Sequence, residues 1–348
     1  MKVLYGIQGT GNGHIARARA MSRCLAKQGI EVDYLFTGRE KAKYFSMEEF
    51  GDYQTRRGLS FVTERGCINY AKTLMSNNLW QLWSDVNSLS LSRYDLVLND
   101  FEPVSAWAAK KRGVPSISVS HQNAFRYAVP LQGANWLDRQ VIEYFAPADH
   151  YIGLHWHHFE QPILPPIIHT TNLACREEAF VLVYLPFESI NDITELLLRF
   201  TSQSFVCFHP EIIEHKTIEN IEFFPLSFDA FQSNLSRCKG VITNGGFELP
   251  SEALSLGKKL LLKPLKGQFE QVSNVATLEE LGLATRMDIL DASVVRHWLD
   301  ESSAESVTYP DVATALACWI KQGEWGDTTA LRQSLWEKVD FPGYVRRV

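Results

Sequence analysis

Six residues near the amino terminus carry the strongest chemical signal, Gly9-Thr-Gly-Asn-Gly-His14. They follow an apolar run, Lys2-Val-Leu-Tyr-Gly-Ile-Gln8, and precede Ile15-Ala-Arg-Ala-Arg-Ala-Met21, which reads as a helix. Glycines at alternate positions between strand and helix let a ligand approach the backbone and leave helix-start N–H groups to meet an anion. Gly11, Asn12 and Gly13 are the candidate ligand contacts. His14 falls in the first helical turn, facing whatever the loop holds, as a candidate general base. A dinucleotide fingerprint would need a third glycine where His14 stands and an acid at the tip of the second strand. Asp33 instead lies inside that strand, Glu31-Val-Asp-Tyr-Leu-Phe-Thr37. No Gly-Lys-Ser/Thr completes a triphosphate loop.

A second glycine turn lies in Val241-Ile-Thr-Asn-Gly-Gly-Phe-Glu-Leu-Pro-Ser-Glu252. A buried strand ends at Thr243, Asn244, Gly245 and Gly246 turn, and Ser251 and Glu252 stand early in a helix. N–H groups there suit a diphosphate, and a carboxylate can accept from two sugar hydroxyls. The same residues would also serve as a tight turn and a favourable helix start. A further strand ends at Pro264 and leads to Gln268, Glu270 and Gln271. Amides both donate and accept, which suits a neutral sugar.

Asn99-Asp-Phe-Glu-Pro103 places acids at the end of another strand. Asp100 or Glu102 could take a proton or orient His14. Equally, Asp100 could cap a helix with Glu102 and Pro103 in its first turn. His121-Gln-Asn123 follows a strand in the same way. His155-Trp-His-His158 could put alternate histidines on one face, but no Cys or carboxylate pattern completes a metal site. Trp80 and Trp83, with Leu79 and Leu82, have the helical spacing of core residues.

The elements that must position these groups alternate between strand-like and helix-like segments, which argues for parallel sheets. In the first half the pattern predicts strands near 2–8, 31–37, 58–64, 94–99, 115–119 and 149–153, with helices near 14–28, 70–90, 103–112 and 134–146. Gln161-Pro-Ile-Leu-Pro-Pro166 is the best linker. The second half predicts strands near 179–185, 204–208, 221–224, 240–243, 259–263 and 283–286. Its helices fall near 189–200, 228–237, 248–256, 270–281, 291–300 and 308–321. The expected fold is α/β, two doubly wound Rossmann-like domains facing a cleft. Their expected spans are 1–165 and 166–325, with a helical tail over 326–348 packing back on the first domain. Ligands of such sheets sit at the carboxyl ends of strands, here in the cleft.

The chain has 348 residues, 45% of them hydrophobic and 21% charged, and a net charge of −6. That balance, without a basic run, argues against a nucleic-acid partner. The N-terminus reads as strand and loop rather than signal peptide. Six scattered cysteines without paired spacing fit reduced thiols in a cytoplasmic protein.

In order and spacing, the two C-terminal segments resemble the donor-binding region of GT-B glycosyltransferases, most closely the family 28 type and the related UDP-glycosyltransferases. The shared elements are Gly245-Gly246, Ser251-Glu252, Gly257, Pro264, Gln271 and Asn274, and Gly9 to His14 resembles the family's first glycine loop. The resemblance implies an inverting, metal-independent transferase without a cofactor. Its donor would be a UDP-sugar, UDP-N-acetylglucosamine foremost. The acceptor would be a hydroxyl of a glycan, a lipid-linked sugar or a small molecule, compatible with peripheral contact at the inner face of a membrane and with cell-envelope glycan synthesis. It implies that Glu252 binds the ribose, that Gly245, Gly246 and Ser251 surround the diphosphate, and that Gln271, with Gln268 or Glu270, contacts the sugar. His14, with Asp100 as rival, would be the base. Two departures stand out. Val183-Tyr-Leu-Pro-Phe-Glu-Ser189 lacks the family's Gly/Ser loop, and Asn244 stands where a basic residue often lies. A non-hydrolysing UDP-sugar 2-epimerase and a non-catalytic nucleotide-sugar-binding regulator are the alternative readings.

Overall fold

The computed structural model describes residues 1–59, 63–64, 67–68, 78–168 and 177–345. The first sheet contains β1 (Lys2–Gln8), β2 (Glu31–Thr37), β3 (Gln54–Arg56), β6 (Leu96–Asp100), β7 (Ser116–Ser120) and β8 (His150–Gly153). Its order is β3-β2-β1-β6-β7-β8, and every pairing is parallel. A short antiparallel pair, β4 (Thr63–Glu64) and β5 (Cys67–Ile68), stands apart from it. The helices between are α1 (Asn12–Lys27), α2 (Leu79–Ser88), α3 (Pro103–Arg112) and α4 (Trp136–Tyr144).

The second sheet contains β9 (Phe180–Tyr184), β10 (Ser204–Phe208), β11 (Lys216–Ile218), β12 (Ile221–Phe224), β13 (Gly240–Asn244), β14 (Lys259–Lys263) and β15 (Thr285–Arg286). Its order is β11-β12-β10-β9-β13-β14-β15, parallel except for β11 on β12. Helices α5 (Ile190–Leu197), α6 (Phe228–Arg237), α7 (Glu248–Ser255), α8 (Phe269–Glu280) and α9 (Ala292–Asp300) cover it, followed by α10 (Val312–Gln322) and α11 (Thr329–Trp336).

The strands read as near-continuous apolar runs because both faces of each sheet are covered. β1, β6, β7, β13 and β14 are buried along almost their whole length. In each sheet the strand order reverses beside the first strand, at β1/β6 and at β9/β13. Loops leaving neighbouring strands in opposite directions open a crevice at such a point. The first crevice holds the loop after Gln8 and the end of β6. The second holds the loop after Tyr184 and the turn after Asn244.

Several expected elements shift. The third strand of the sheet is Gln54–Arg56, paired with Leu35 to Thr37; of the expected 58–64, residues 60–62 lie outside the described residues and Thr63–Glu64 pairs with Cys67–Ile68 instead. The helix expected over 70–90 is described only as Leu79–Ser88, and 69–77 lies outside the described residues. Strand β11 was not expected. Thr308, placed by the sequence in the last helix of the second domain, makes an antiparallel bridge with Asp340. Helix α10 packs on α1 of the first sheet, where Cys24 Sγ lies 3.3 Å from Thr314 Oγ1. The proline segment is no open spacer: Ile163 to Pro166 are buried, Leu164 bridges Leu154, and Trp336 Nε1 donates to Ile163 O.

Trp80 and Trp83 also depart from the core expectation. They are 87% and 50% exposed on α2, because its inward face is supplied by Leu82, Asp85 and Val86 instead.

Gly6 shows how tightly α3 sits on β1. A Cβ there would lie 2.8 Å from Ser105 Cβ and 2.9 Å from Glu102 Oε2. Glu102 cannot yield, since its carboxylate holds the start of α3. Gly6→Ala is therefore expected to cost about 1–3 kcal/mol of stability, measured as a lower urea midpoint with unchanged slope.

Candidate active site

His14 stands in the first turn of α1, where the glycine loop turns back from β1. Its Nδ1 lies 2.8 Å from Asp100 Oδ1, at the last position of β6. A carboxylate can only accept, so the Asp100 contact calls for a proton on Nδ1, which would leave Nε2 with the lone pair; Arg17 Nη2, a donor, also lies 3.0 Å from Nδ1. Arg17, one helical turn beyond His14, completes the group. Its Nε and Nη2 donate to the two oxygens of Asp100, each at 2.8 Å, and its Nη1 donates to Glu248 Oε1 on α7. Burial alone would raise Asp100, but Arg17 and His14 outweigh it and hold the carboxyl below its usual range. Asp100 is thus a fixed carboxylate that orients His14. The expectation that it caps α3 is replaced: Glu102 is the cap, accepting from Val104 N at 2.6 Å and Ser105 N at 2.7 Å.

The opposite wall comes from the second sheet. Burial pushes Glu252 up to about 7, against the amide of Gln232, which donates to it at 2.9 Å. Burial likewise pushes Glu248 up to about 8; Arg17 pulls it down, while Glu252 and Asp100 add to the rise. Gly13 exists for this junction, since a Cβ there would lie 2.9 Å from Glu248 Cγ. Asn12 Nδ2 donates to Tyr184 OH at 3.0 Å, a further bond across the cleft.

A cavity of about 440 Å³ lies between these walls. Among the expected site residues, Gly11, Asn12, Gly13, His14, Asn244, Gly246, Glu252, Gln268, Glu270 and Gln271 line it. Asp100 lies behind His14, fully buried. Gly245 and Ser251 do not line it. A Cβ on Gly245 would meet Gln271 O at 2.7 Å, so this glycine serves packing. Ser251 Oγ donates to Phe247 O at 2.7 Å and accepts from Trp156 Nε1 at 2.8 Å, leaving it no role at a phosphate. Gln271 reaches the lining, but its Oε1 accepts from Leu265 N at 2.8 Å.

Helix starts at the cavity are of two kinds: α6, whose first turn also lines it, is capped by Ser227, whereas α1, α7 and α8 are not. Helices α2, α3, α4, α6, α9 and α10 open on side-chain caps, from Asn78, Glu102, Asn135, Ser227, Asp291 and Asp311. Helices α1, α7 and α8, whose first turns line the cavity, have none, and neither do α5 and α11. First-turn N–H groups without a cap are anion donors. Other histidines are committed elsewhere. His155 is buried among aromatic rings, and His157 and His158 stack on each other at 4.6 Å. Among the described residues no group of three or more His, Cys, Asp or Glu could hold a metal ion. No described helix is long and apolar enough to cross a membrane.

Sequence reasoning missed Arg17 and Glu248. Arg17 follows His14 by three, the spacing of neighbours on one helix face; that was a usable signal. Glu248 had none, since its partner lies 231 residues away.

Comparison with known proteins places this geometry. No curated protein matches the sequence. Among solved structures, the glycotransferase of kitacinnamycin aligns over 97% of this chain and 99% of that one, at 14% identity and TM-score 0.58. Acinetobacter baumannii MurG aligns over 97% and 99%, at 15% identity and TM-score 0.53. Arabidopsis thaliana UGT89C1, complexed with UDP, aligns over 96% and 98%, at 13% identity and TM-score 0.59. These likenesses establish the two-domain GT-B fold. The sequence itself matches the model of one family, Glycosyl transferase family 1, over residues 1–302. That match decides for a transferase over an epimerase or a non-catalytic regulator: the chain belongs to glycosyl transferase family 1 and is a glycosyltransferase.

Proposed function

We propose that this glycosyltransferase transfers a sugar from a UDP-sugar to an acceptor hydroxyl by a single inverting displacement without a metal. The observation that carries the reading is the His14–Asp100 pair, 2.8 Å apart at the cavity wall, facing uncapped helix starts on the other side. The structure of UGT89C1 with UDP supports the choice of nucleotide. The donor lies against the second domain. Glu252 accepts from the ribose hydroxyls, and the first turns of α7 and α1 face the diphosphate. The acceptor enters from the first domain. Its hydroxyl oxygen attacks the anomeric carbon, its proton passes to His14 Nε2, and the bond to the UDP oxygen breaks. Asp100 steadies the imidazolium so formed. Negative charge growing on UDP is met by preorganised N–H dipoles. N-acetylglucosamine is the proposed sugar, on the resemblance of the loops Gly9 to His14 and Asn244 to Asn274.

Incubation with radiolabelled UDP-sugars and a glycan acceptor panel tests this. His14→Ala should lower transfer by about 10²–10⁴-fold while UDP affinity stays within about twofold. Asp100→Asn should lower turnover with little change in donor KM. Unchanged turnover in both variants would remove the base assignment.

Glu252 adds a pH test. Burial pushes its carboxyl up to about 7. Hydroxyls that donate to the carboxylate favour its charged form and lower that value. UDP binding near pH 7 should therefore release a fraction of a proton, and affinity should rise from pH 6 to pH 8. Calorimetry in buffers of different ionisation enthalpy reads the release directly, and Glu252→Gln should abolish it.

A further inference from the structure

The cavity carries a set of buried polar atoms that no described residue satisfies. Gln122 Oε1, Asn244 Oδ1 and Gln268 Oε1 all belong to lining residues, and all three lack a hydrogen-bond partner among the described residues. Buried polar atoms are ordinarily paired, so each marks a place for a ligand atom. All three are acceptors.

For two of them the orientation is fixed by the other half of the amide. Gln122 Nε2 donates to Glu270 Oε2 at 3.0 Å, and Asn244 Nδ2 donates to Lys263 O at 3.0 Å. Turning either amide over would set its oxygen against another acceptor. The unpartnered atoms of these two lining residues are therefore their carbonyl oxygens. They also belong to one connected patch. His121, next to Gln122, meets Asn274 Oδ1 at 2.6 Å, and Asn274 Nδ2 donates to Gly245 O, next to Asn244, at 3.0 Å. Gln122 comes from the first domain and Asn244 from the second, so the patch spans the cleft. Both residues are more than nine-tenths buried.

The lining offers little to a negative charge beside these oxygens. Its cations, among the described residues, are Arg17 and Arg19. Arg17 is taken by Asp100 and Glu248. Arg19 donates to Ser46 O, and its guanidinium lies 4.4 Å from the centre of the Phe228 ring.

We infer that the sugar held here is uncharged and rich in free hydroxyls, which donate to Gln122 Oε1 and Asn244 Oδ1, and that Gln122 is a donor-sugar specificity residue supplied by the first domain. A uronate would set its carboxylate against these oxygens and the Glu270 carboxylate, with no cation to receive it. The inference rests on the UDP-sugar reading and deepens it.

Calorimetric titration with UDP, UDP-glucose, UDP-N-acetylglucosamine and UDP-glucuronate tests it without an acceptor. For the wild type, at least one neutral UDP-sugar should bind about tenfold or more tighter than UDP-glucuronate. Gln122→Met keeps the volume and removes the acceptor. It should bind UDP as the wild type does and lose about tenfold of the added affinity that the neutral sugar confers. UDP-glucuronate binding as tightly as the neutral sugars, which needs no variant, would overturn the inference. So would an unchanged UDP-sugar to UDP ratio in Gln122→Met. A wild type that binds none of the four, UDP included, would instead overturn the donor reading beneath it.

Discussion

One buried guanidinium ties the catalytic wall to the closing of the cleft. Arg17 is almost wholly removed from water, which is costly for a charge unless it is paired. It is paired twice, with Asp100 from the first sheet and Glu248 from the second. The side chain that keeps Asp100 ionised therefore also joins the domains, through its other contact. If the domains part, Arg17 and Glu248 lose each other. The active geometry and the closed geometry share this arginine.

The two sheets explain why the groups meet at all. Each reverses its strand order beside its first strand, and residues beside both reversal points line one cavity. The loops of the first bring His14 and Asp100; those of the second bring Asn244, Gly246 and Glu252. Three helices that start at this junction, α1, α7 and α8, leave their first turns without side-chain caps, whereas α6, which also starts there, is capped by Ser227. A side-chain cap would occupy the N–H groups an anion needs. The absent Gly/Ser loop after β9 is then less of a loss. Tyr184, Pro186 and Phe187 line the cavity there, and Tyr184 is tied to Asn12 across it.

Much of this was legible in order, less in detail. The alternation of apolar runs gave two parallel sheets, because strands covered on both faces need no polar alternation. It misplaced the third strand, since 54–56 is polar and is held by pairing with β2 rather than by its own pattern. The acids after β6 show the same limit. From Asn99-Asp-Phe-Glu-Pro103 the expected cap was Asp100, with Glu102 in the first turn, and the structure makes Glu102 the cap instead. Asn99 decides it by accepting from Glu102 N at 3.2 Å and donating to Glu102 O at 2.7 Å, which turns the chain so that Phe101 has a φ of 51°. Asp100 then faces His14, and Glu102 faces the helix.

Sequence by itself determined the glycine loops, the strand ends and the residue types gathered there, because those depend on backbone freedom and local periodicity. It also determined the family, through a match running from residue 1 to residue 302. Tertiary structure decided the roles. It made Asp100 an orienting carboxylate, withdrew Ser251 and Gly245 into packing, and exposed the unpaired oxygens of Gln122 and Asn244. Each role depends on a partner brought from far along the chain: 86 residues separate His14 from Asp100, 148 separate Gln122 from Glu270, and 95 separate Trp156 from Ser251. Charge and hydrogen bonding act over a few ångströms in space, and no local pattern in the chain records such neighbours.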